Sequence, residues 1–487
     1  MRAPGPASSA APLPLRVKLF NGMGSVAYGV KDNGFSTFLL IFYSQVIGLD
    51  AKLVSLALML ALLVDAFIDP VIGHLSDKTY TRWGRRHPWL YIAPIPLAFA
   101  WLLLWSPPAD HTYIFVYLVA VAILVRTLVS CCEVPSQSLV AELTSDYDER
   151  TSLIRLRYLF GWLGGLTIYF LANAVFLRPD ADHPVGQLNP DGYWRFGLCG
   201  AIVMATAVLV SALGQHSRVA KLPAVKPTLV SPGHALGEIL EALRHPAAVI
   251  LLSAALFAIS SSQMALAIAN YLYLFVWQLS PTGFALLAWL LLVTVVASFL
   301  IVRPLHLRLG KRDTAIYCNL ASMTIGATPF ILRYLGLWPE AGSNASTALI
   351  FAFLLFANTT GIMVFVSAQS MLADVVEASY VQTGRRSEGT FAAGWMFVQK
   401  CGTAVGIGLT GLIVSLAGLP AKAVPGQVDP GVIDRLTLSY VGIVFVAGIC
   451  STLILRRFPI TRADHEARVA ALDAAAMIDR DAEGAHP

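Results

Sequence analysis

Asp65 and Asp69 stand four residues apart inside one of the most apolar stretches of the chain, VSLALMLALLVDAFIDPVIGHL. On a helix that spacing projects both carboxylates from one face, about one turn apart. Two like charges so placed repel, and each raises the other's affinity for a proton or a metal cation. Pro70 follows at once; it lacks an N–H, so a carbonyl near position 66 is left free as a further oxygen that Na+ could use. The competing reading is structural, an ion pair with Lys400, which lies midway through a second apolar stretch, GTFAAGWMFVQKCGTAVGIGLTG. A purely structural pair needs one carboxylate per lysine. The residues therefore favour Asp65 and Asp69 as a cation site with Lys400 as its charge partner.

An ionisable side chain at the centre of a bilayer costs about 2.5–3.5 kcal/mol on insertion scales, so each one inside an apolar run needs a reason. Asp32 follows Lys31 in the Gly-containing YGVKDNGFS; Glu133 sits in SCCEVPSQ, before Pro135; Arg155 and Arg157 lie in RLRYLFGWLGG. An acid and an arginine on neighbouring helices serve either as a structural ion pair or as hydrogen-bonding groups for a polyhydroxylated ligand, and the residues alone leave both open. Lys31 reads as a local partner of Asp32 or as a snorkelling side chain. Asp77, Asp374 and Glu377 come at the ends of apolar runs and read as gate or loop ion pairs. Trp162, Trp277, Trp289 and Trp395 sit deep and read as core or lipid packing. Trp83, Trp89, Trp101, Trp105, Trp194 and Trp338 read as interfacial belts.

The elements that must position these groups follow from composition. Of 487 residues, 56% are hydrophobic and 13% charged, with a mean hydropathy of +0.67; a soluble domain carries about 25% charge. A soluble globule is excluded. The net charge of +5 is a slight excess that membrane topology explains, and no nucleic-acid partner is expected. The six cysteines lie in apolar stretches without C-x-x-C or metal spacing, so neither a disulfide framework nor zinc is indicated. No cofactor is expected beyond a coupling ion, Na+ or H+.

Apolar runs of bilayer length fall at 20–48, 51–76, 87–106, 111–143, 150–177, 193–216, 246–279, 281–304, 313–337, 345–375, 387–419 and 434–456, which predicts an all-α membrane protein of twelve transmembrane helices. Kinks are expected at Pro94, Pro96 and Pro135. Basic residues concentrate in the loops after even-numbered spans, among them Lys78, Arg82, Arg85, Arg86, Arg218, Arg308, Lys311, Arg385 and Arg386. The positive-inside rule then makes both termini cytoplasmic. The longest break divides the chain into a tail (1–19), a six-helix bundle (20–216), a central cytoplasmic loop (217–245), a second six-helix bundle (246–458) and a C-terminal tail (459–487). RWGRRHPW at 82–89 has a weak echo in RPLHLRLGKRD at 303–313, as expected of related halves.

The stretch DAFIDPVIGHLSDKTYTRWGRRHPW at 65–89 resembles the glycoside-pentoside-hexuronide:cation symporter family of the major facilitator superfamily, typified by the melibiose permease. The likeness extends through YGVKDNGFSTFLLIFY, the E-V-P of span four and ADVVEASYVQTGRRSEGTFAAGWMFVQKCGTAVG at 373–406, so it covers essentially the whole chain. It implies the two-bundle fold, a cation site at Asp65 and Asp69 partnered by Lys400, and sugar binding by Asp32, Glu133 and Arg157. Two departures matter. Glu133 stands where the family has Asp, and Gln137 stands where the melibiose permease has a ring-stacking tryptophan, so a galactoside specificity does not follow. Gln137 remains a substrate-site position.

The resulting expectation is cation-coupled symport of a sugar or glycoside by alternating access in the cell's inner (plasma) membrane, by a monomer, as such chains usually work. A cytoplasmic gate would be braced by Arg82, Arg85, Arg86, Arg385 and Arg386 pairing with Asp77, Asp374 or Glu377. The alternative is a sodium-coupled lysolipid transporter of the same superfamily. A membrane-embedded transferase is a distant third, since the chain has no HExxH, no G-x-S-x-G, no GxGD and no sizeable soluble domain.

Overall fold

Within hydrocarbon no water is present to satisfy peptide groups, so an apolar run of about 20 residues or more becomes helix. The computed structural model describes residues 13–79, 81–110, 112–144, 146–181, 183–219, 237, 245–383 and 388–459. Residues 1–12 and 460–487, most of the central loop, and Arg385 and Arg386 lie outside the described residues, while 13–19 of the predicted N-terminal tail is described and turns helical from Leu15. Among the described residues, ten helices are long and apolar enough to cross a membrane. They are α2 (Ala51–Lys78), α4 (Ile114–Leu143), α5 (Tyr147–Leu171), α6 (Pro190–Val219), α7 (Pro246–Tyr271), α8 (Pro281–Leu309), α9 (Lys311–Tyr334), α10 (Asn344–Thr383), α11 (Glu388–Ala417) and α12 (Pro430–Leu455).

Two further helical stretches are interrupted. The first, α1 (15–47), is divided by π-helical turns at Gly34–Phe38 and Phe42–Ile47. The second, α3 (87–104), breaks at Ala93, between His87–Ile92 and Pro94–Leu104, because Pro94 and Pro96 withhold two backbone donors in close succession. Pro135, expected to act likewise, sits inside an unbroken α4, as Pro70 does inside α2. Further π turns extend α5 (Ala172–Phe176) and α7 (Leu272–Val276).

Close approach of backbones sets the packing. A Cβ on Gly29 of α1 would stand 2.0 Å from the Gly161 carbonyl oxygen of α5; only a glycine lets these helices meet backbone to backbone, the device that replaces hydrophobic driving force in a bilayer. In the first half α1 also packs on α6, α2 on α4, and α3 on α6; in the second, α7 packs on α11 and α12, and α10 on α8 and α9. The halves meet where α2 packs on α11, α5 on α8, and α1 on α7. Trp101 and Trp105 correct the belt reading. Both are fully buried against Gly34, Gly197 and Gly200, filling space that those glycines leave.

Candidate functional site

Asp65 and Asp69 occupy the face of α2 turned toward α4 and α11. A Cβ on Gly411 of α11 would lie 2.0 Å from Ser55 Oγ and 2.4 Å from the Ala51 carbonyl oxygen of α2. The two helices therefore touch through small groups, and Lys400, three turns earlier on α11, is brought over the aspartates. Its Nζ donates to Asp65 Oδ2 at 3.0 Å, to Asp69 Oδ2 at 2.5 Å and to the Asp65 carbonyl at 3.4 Å. The backbone oxygen drawn in is that of Asp65 rather than residue 66.

From α4, Ser130 Oγ lies 2.9 Å from Asp65 Oδ1 and 2.6 Å from Asp69 Oδ1. Arg126 Nη1 donates to Asp65 Oδ2 at 3.1 Å, and its guanidinium carbon is 4.7 Å from the centroid of the Phe35 ring. The nearby oxygens, from two carboxylates, a hydroxyl and a carbonyl, are hard donors suited to an alkali cation. The same carboxylates can hold a proton.

A second polar cluster lies along α1, α4 and α5. Lys31 Nζ sits 2.9 Å from Asp32 Oδ1 and 3.4 Å from Glu133 Oε2. Gln137 Nε2 donates to Glu133 Oε1 at 3.1 Å. Arg157 bonds Ser136, its Nη1 reaching Oγ at 2.8 Å and the carbonyl at 3.3 Å. Tyr28 is buried with its hydroxyl beside Ser136, Arg157 and Glu133. Asp32 has a side chain 67% exposed while Lys31 beside it is 11% exposed, so water reaches this cluster from one direction. Donors and acceptors of both charge signs gather here, which is the composition that hydroxyl-rich ligands demand.

The six charged positions expected at the centre of the molecule, Asp65, Asp69 and Lys400 together with Asp32, Glu133 and Arg157, thus fall into two neighbouring clusters linked by α4. Arg126, Ser130, Glu133 and Gln137 follow one another at four, three and four residues, one face of a single helix. The Lys31–Asp32 pairing agrees with the local-partner reading. Ser130, Tyr28 and Arg126 were not anticipated. Arg126, a lone arginine in VYLVAVAILVRTLVSCCEV, carries the same signal that marked the aspartates.

Among the described gate residues the expected Arg86–Asp77 pair is present, while Arg85 and Asp374 also bond partners outside the expected set. Arg86 donates to Asp77 and to Glu142, each at 2.7 Å, and Arg85 to Glu142 at 2.8 Å, all inside the first half. Arg82 stacks on Trp83, 5.3 Å from the ring. Asp374 receives Lys311 at 2.5 Å, inside the second half. Glu142 and Lys311 are partners that sequence reading did not assign, since each is set by tertiary packing. Glu377 lies one turn after Asp374 on α10, near its C-terminal end.

At the opposite end of these helices the halves bond directly. Gln45 of α1 spans a turn of the second half: its Nε2 donates to the Pro420 carbonyl at 3.3 Å and its Oε1 accepts from Ala423 N at 3.0 Å. Asn270 Nδ2 donates to the Thr37 carbonyl at 2.9 Å, and the Tyr271 hydroxyl meets Ser44 and the Leu40 carbonyl.

A family model described as "MFS/sugar transport protein" matches residues 20–462. Among curated relatives, the chain is 27% identical to an uncharacterised symporter of Synechocystis sp. (94% of this chain, 96% of the relative) and 25% identical to the isoprimeverose transporter of Lactiplantibacillus pentosus (80% and 77%). It is 24% identical to the sodium-dependent lysophosphatidylcholine symporter 1-A of Danio rerio (82% and 78%). Among solved structures it is similar in fold to the inward-open xylose transporter XylE from E. coli, with a TM-score of 0.60, 17% identity, and 94% of this chain and 99% of that one covered.

Proposed function

The chain belongs to the MFS/sugar transport protein family, a family of multi-pass membrane transporters and not of enzymes, and from that premise we propose that it moves a sugar or glycoside by cation-coupled symport with alternating access. In this reading α1 and α3 are the first and third of twelve spans, the halves 20–216 and 246–458 are the two moving bundles, and both termini face the cytoplasm of a cell whose inner (plasma) membrane holds the protein as a monomer. The end where Gln45 and Tyr271 bond across the halves is then the outer end, and the cleft opens inward.

The observation that carries the reading is the contact of Lys400, from the second bundle, with both Asp65 and Asp69 in the first. Two carboxylates and one ammonium leave a negative site whenever the lysine withdraws. A cation, Na+ or H+, then takes the place of the ammonium, and the bundles are released from their central ionic tie. Asp32, Glu133, Gln137 and Arg157, with Tyr28 beside them, hold substrate hydroxyls a few residues away along α4, so cation and substrate favour each other's binding reciprocally. A monovalent cation moving inward gains about 2.3 kcal/mol per 100 mV, more than a tenfold accumulation. Asp77, Arg82, Arg85, Arg86, Asp374 and Glu377 order the inner ends of the bundles; Arg385 and Arg386 are assigned there from sequence alone.

A second reading is transport of a lysolipid. The face of α5 next to Arg157 exposes Tyr158, Leu159 and Trp162, an apolar surface that suits an acyl chain, and one relative is named for lysophosphatidylcholine. Uptake into proteoliposomes, measured for a panel of pentosides, glycosides, hexuronides and lysophospholipids with and without an imposed Na+ or H+ gradient, separates the two. Gradient-stimulated uptake of a sugar is expected. Stimulation by lysolipid alone would favour the second reading, and gradient-independent uptake would contradict both.

A further inference from the structure

Lys400 comes from the half opposite the aspartates, but Arg126 comes from their own half. It is carried by α4, which packs directly on α2. It is 7% exposed, it bonds Asp65 at 3.1 Å, it lies over the Phe35 ring, and its Nε has no hydrogen-bond partner. A snorkelling arginine would send its guanidinium to water; this one is turned inward to a carboxylate.

Resting on the reading of Asp65 and Asp69 as the coupling-ion site, we infer that Arg126 is a resident counter-cation of that site and a determinant of its ion affinity. With Lys400 in place, two carboxylates face two fixed cations and the cluster is neutral. When Lys400 moves away with its bundle, Arg126 stays, so the first half presents one net negative charge instead of two. One monovalent cation restores neutrality. Arg126 also occupies Asp65 Oδ2, so an arriving ion is held chiefly by Asp69, the free side of Asp65 and Ser130. The arginine thus weakens the site enough for Lys400 to compete with the ion in every cycle. Without it, the doubly negative pair would hold an alkali cation too tightly to release.

The test is calorimetric titration of sodium chloride into purified full-length protein, with choline chloride balancing ionic strength. Arg126→Gln is expected to bind Na+ at least tenfold more tightly than the wild type, while Arg126→Lys, which keeps the charge, stays within about threefold of it. Asp65→Asn, in which Arg126 and Asp69 cancel, is expected to lose binding, and adding Arg126→Gln to Asp65→Asn is expected to restore it. Equal affinities in Arg126→Gln and Arg126→Lys would reduce the arginine to a packing role and overturn the inference, as would Arg126→Gln binding no more tightly than the wild type. If Arg126→Gln alone does not fold, by size exclusion, the Asp65→Asn pair of variants decides: no restoration overturns the inference. Failure of the site reading itself gives a different pattern, a sodium heat that persists unchanged in Asp65→Asn/Asp69→Asn.

Discussion

The two ends of the helical assembly hold their structure by different chemistry. At the end formed by α1 and α7 the halves bond to each other through neutral groups: the Gln45 amide on Pro420 and Ala423, Asn270 on the Thr37 carbonyl, and the Tyr271 hydroxyl on Ser44 and Leu40. At the end formed by α2, α3, α9 and α10 the described ion pairs are strong and charged, but they satisfy partners within a half: Arg85 and Arg86 on Glu142, Arg86 on Asp77, Lys311 on Asp374. The difference teaches what each end is for. Neutral hydrogen bonds are each worth about 1 kcal/mol net, weak enough to make and break during a cycle. Under the alternating access proposed above, ion pairs within a half would survive the cycle and keep each bundle rigid as it moves. The Lys400 contact in the middle is charged and crosses the halves, which is why a cation is suited to controlling it.

The comparison breaks first at Glu142. Arg86 has only 9% of its side chain exposed, and Glu142→Ala takes from it a carboxylate at 2.7 Å, along with the partner of Arg85. Removing one member of a largely buried pair is strongly destabilising; with Asp77 remaining, a loss of about 2–3 kcal/mol is expected, read as a lowered thermal midpoint in detergent. An unchanged midpoint would mean that these charges are solvated and that this end is not rigid.

Gln45→Ala acts on the opposite end and should leave the thermal midpoint nearly unchanged while shifting the conformational balance. Two hydrogen bonds between halves are lost, worth about 1–2 kcal/mol together, or a roughly five- to thirtyfold change in population. Thr37→Cys, at a position only 2% exposed, in a background cleared of the native cysteines, should then react correspondingly faster with a membrane-impermeant maleimide. Tyr271→Phe removes one hydroxyl with two partners and should show the same effect at smaller size, about 1 kcal/mol or less. If Gln45→Ala lowers the thermal midpoint as much as Glu142→Ala does, the two ends do not differ in kind.

Much of the site was legible from residue type alone, because a charge in a 20-residue apolar run is costly wherever it lies. That rule marked Asp32, Asp65, Asp69, Glu133, Arg157 and Lys400, and applied evenly it would have marked Arg126 too. Ser130 and Tyr28 carry no such signal; a serine or tyrosine in a span is ordinary, and only the packing of α4 on α2 brings Ser130 to the aspartates and that of α1 on α5 buries Tyr28. Gln45 was illegible for the same reason, since its two partners lie 375 and 378 residues away. The helical stretches followed from hydropathy, and the break at Ala93 from Pro94 and Pro96. The π turns in α1, α5 and α7 did not, because widening a helix by one residue leaves its hydropathy unchanged. The burial of Trp101 and Trp105 was likewise hidden, since a tryptophan near a span end looks the same whether it faces the interface or a glycine of the next helix.

The central claim, that Asp65 and Asp69 exchange Lys400 for the coupling ion, is tested most directly by comparing gradient-driven uptake with equilibrative exchange in proteoliposomes carrying Asp65→Asn/Asp69→Asn. The account predicts that accumulation against a concentration gradient falls to background, at least a hundredfold below the wild type, while some substrate exchange across the membrane persists. Accumulation at wild-type levels in that variant would contradict it.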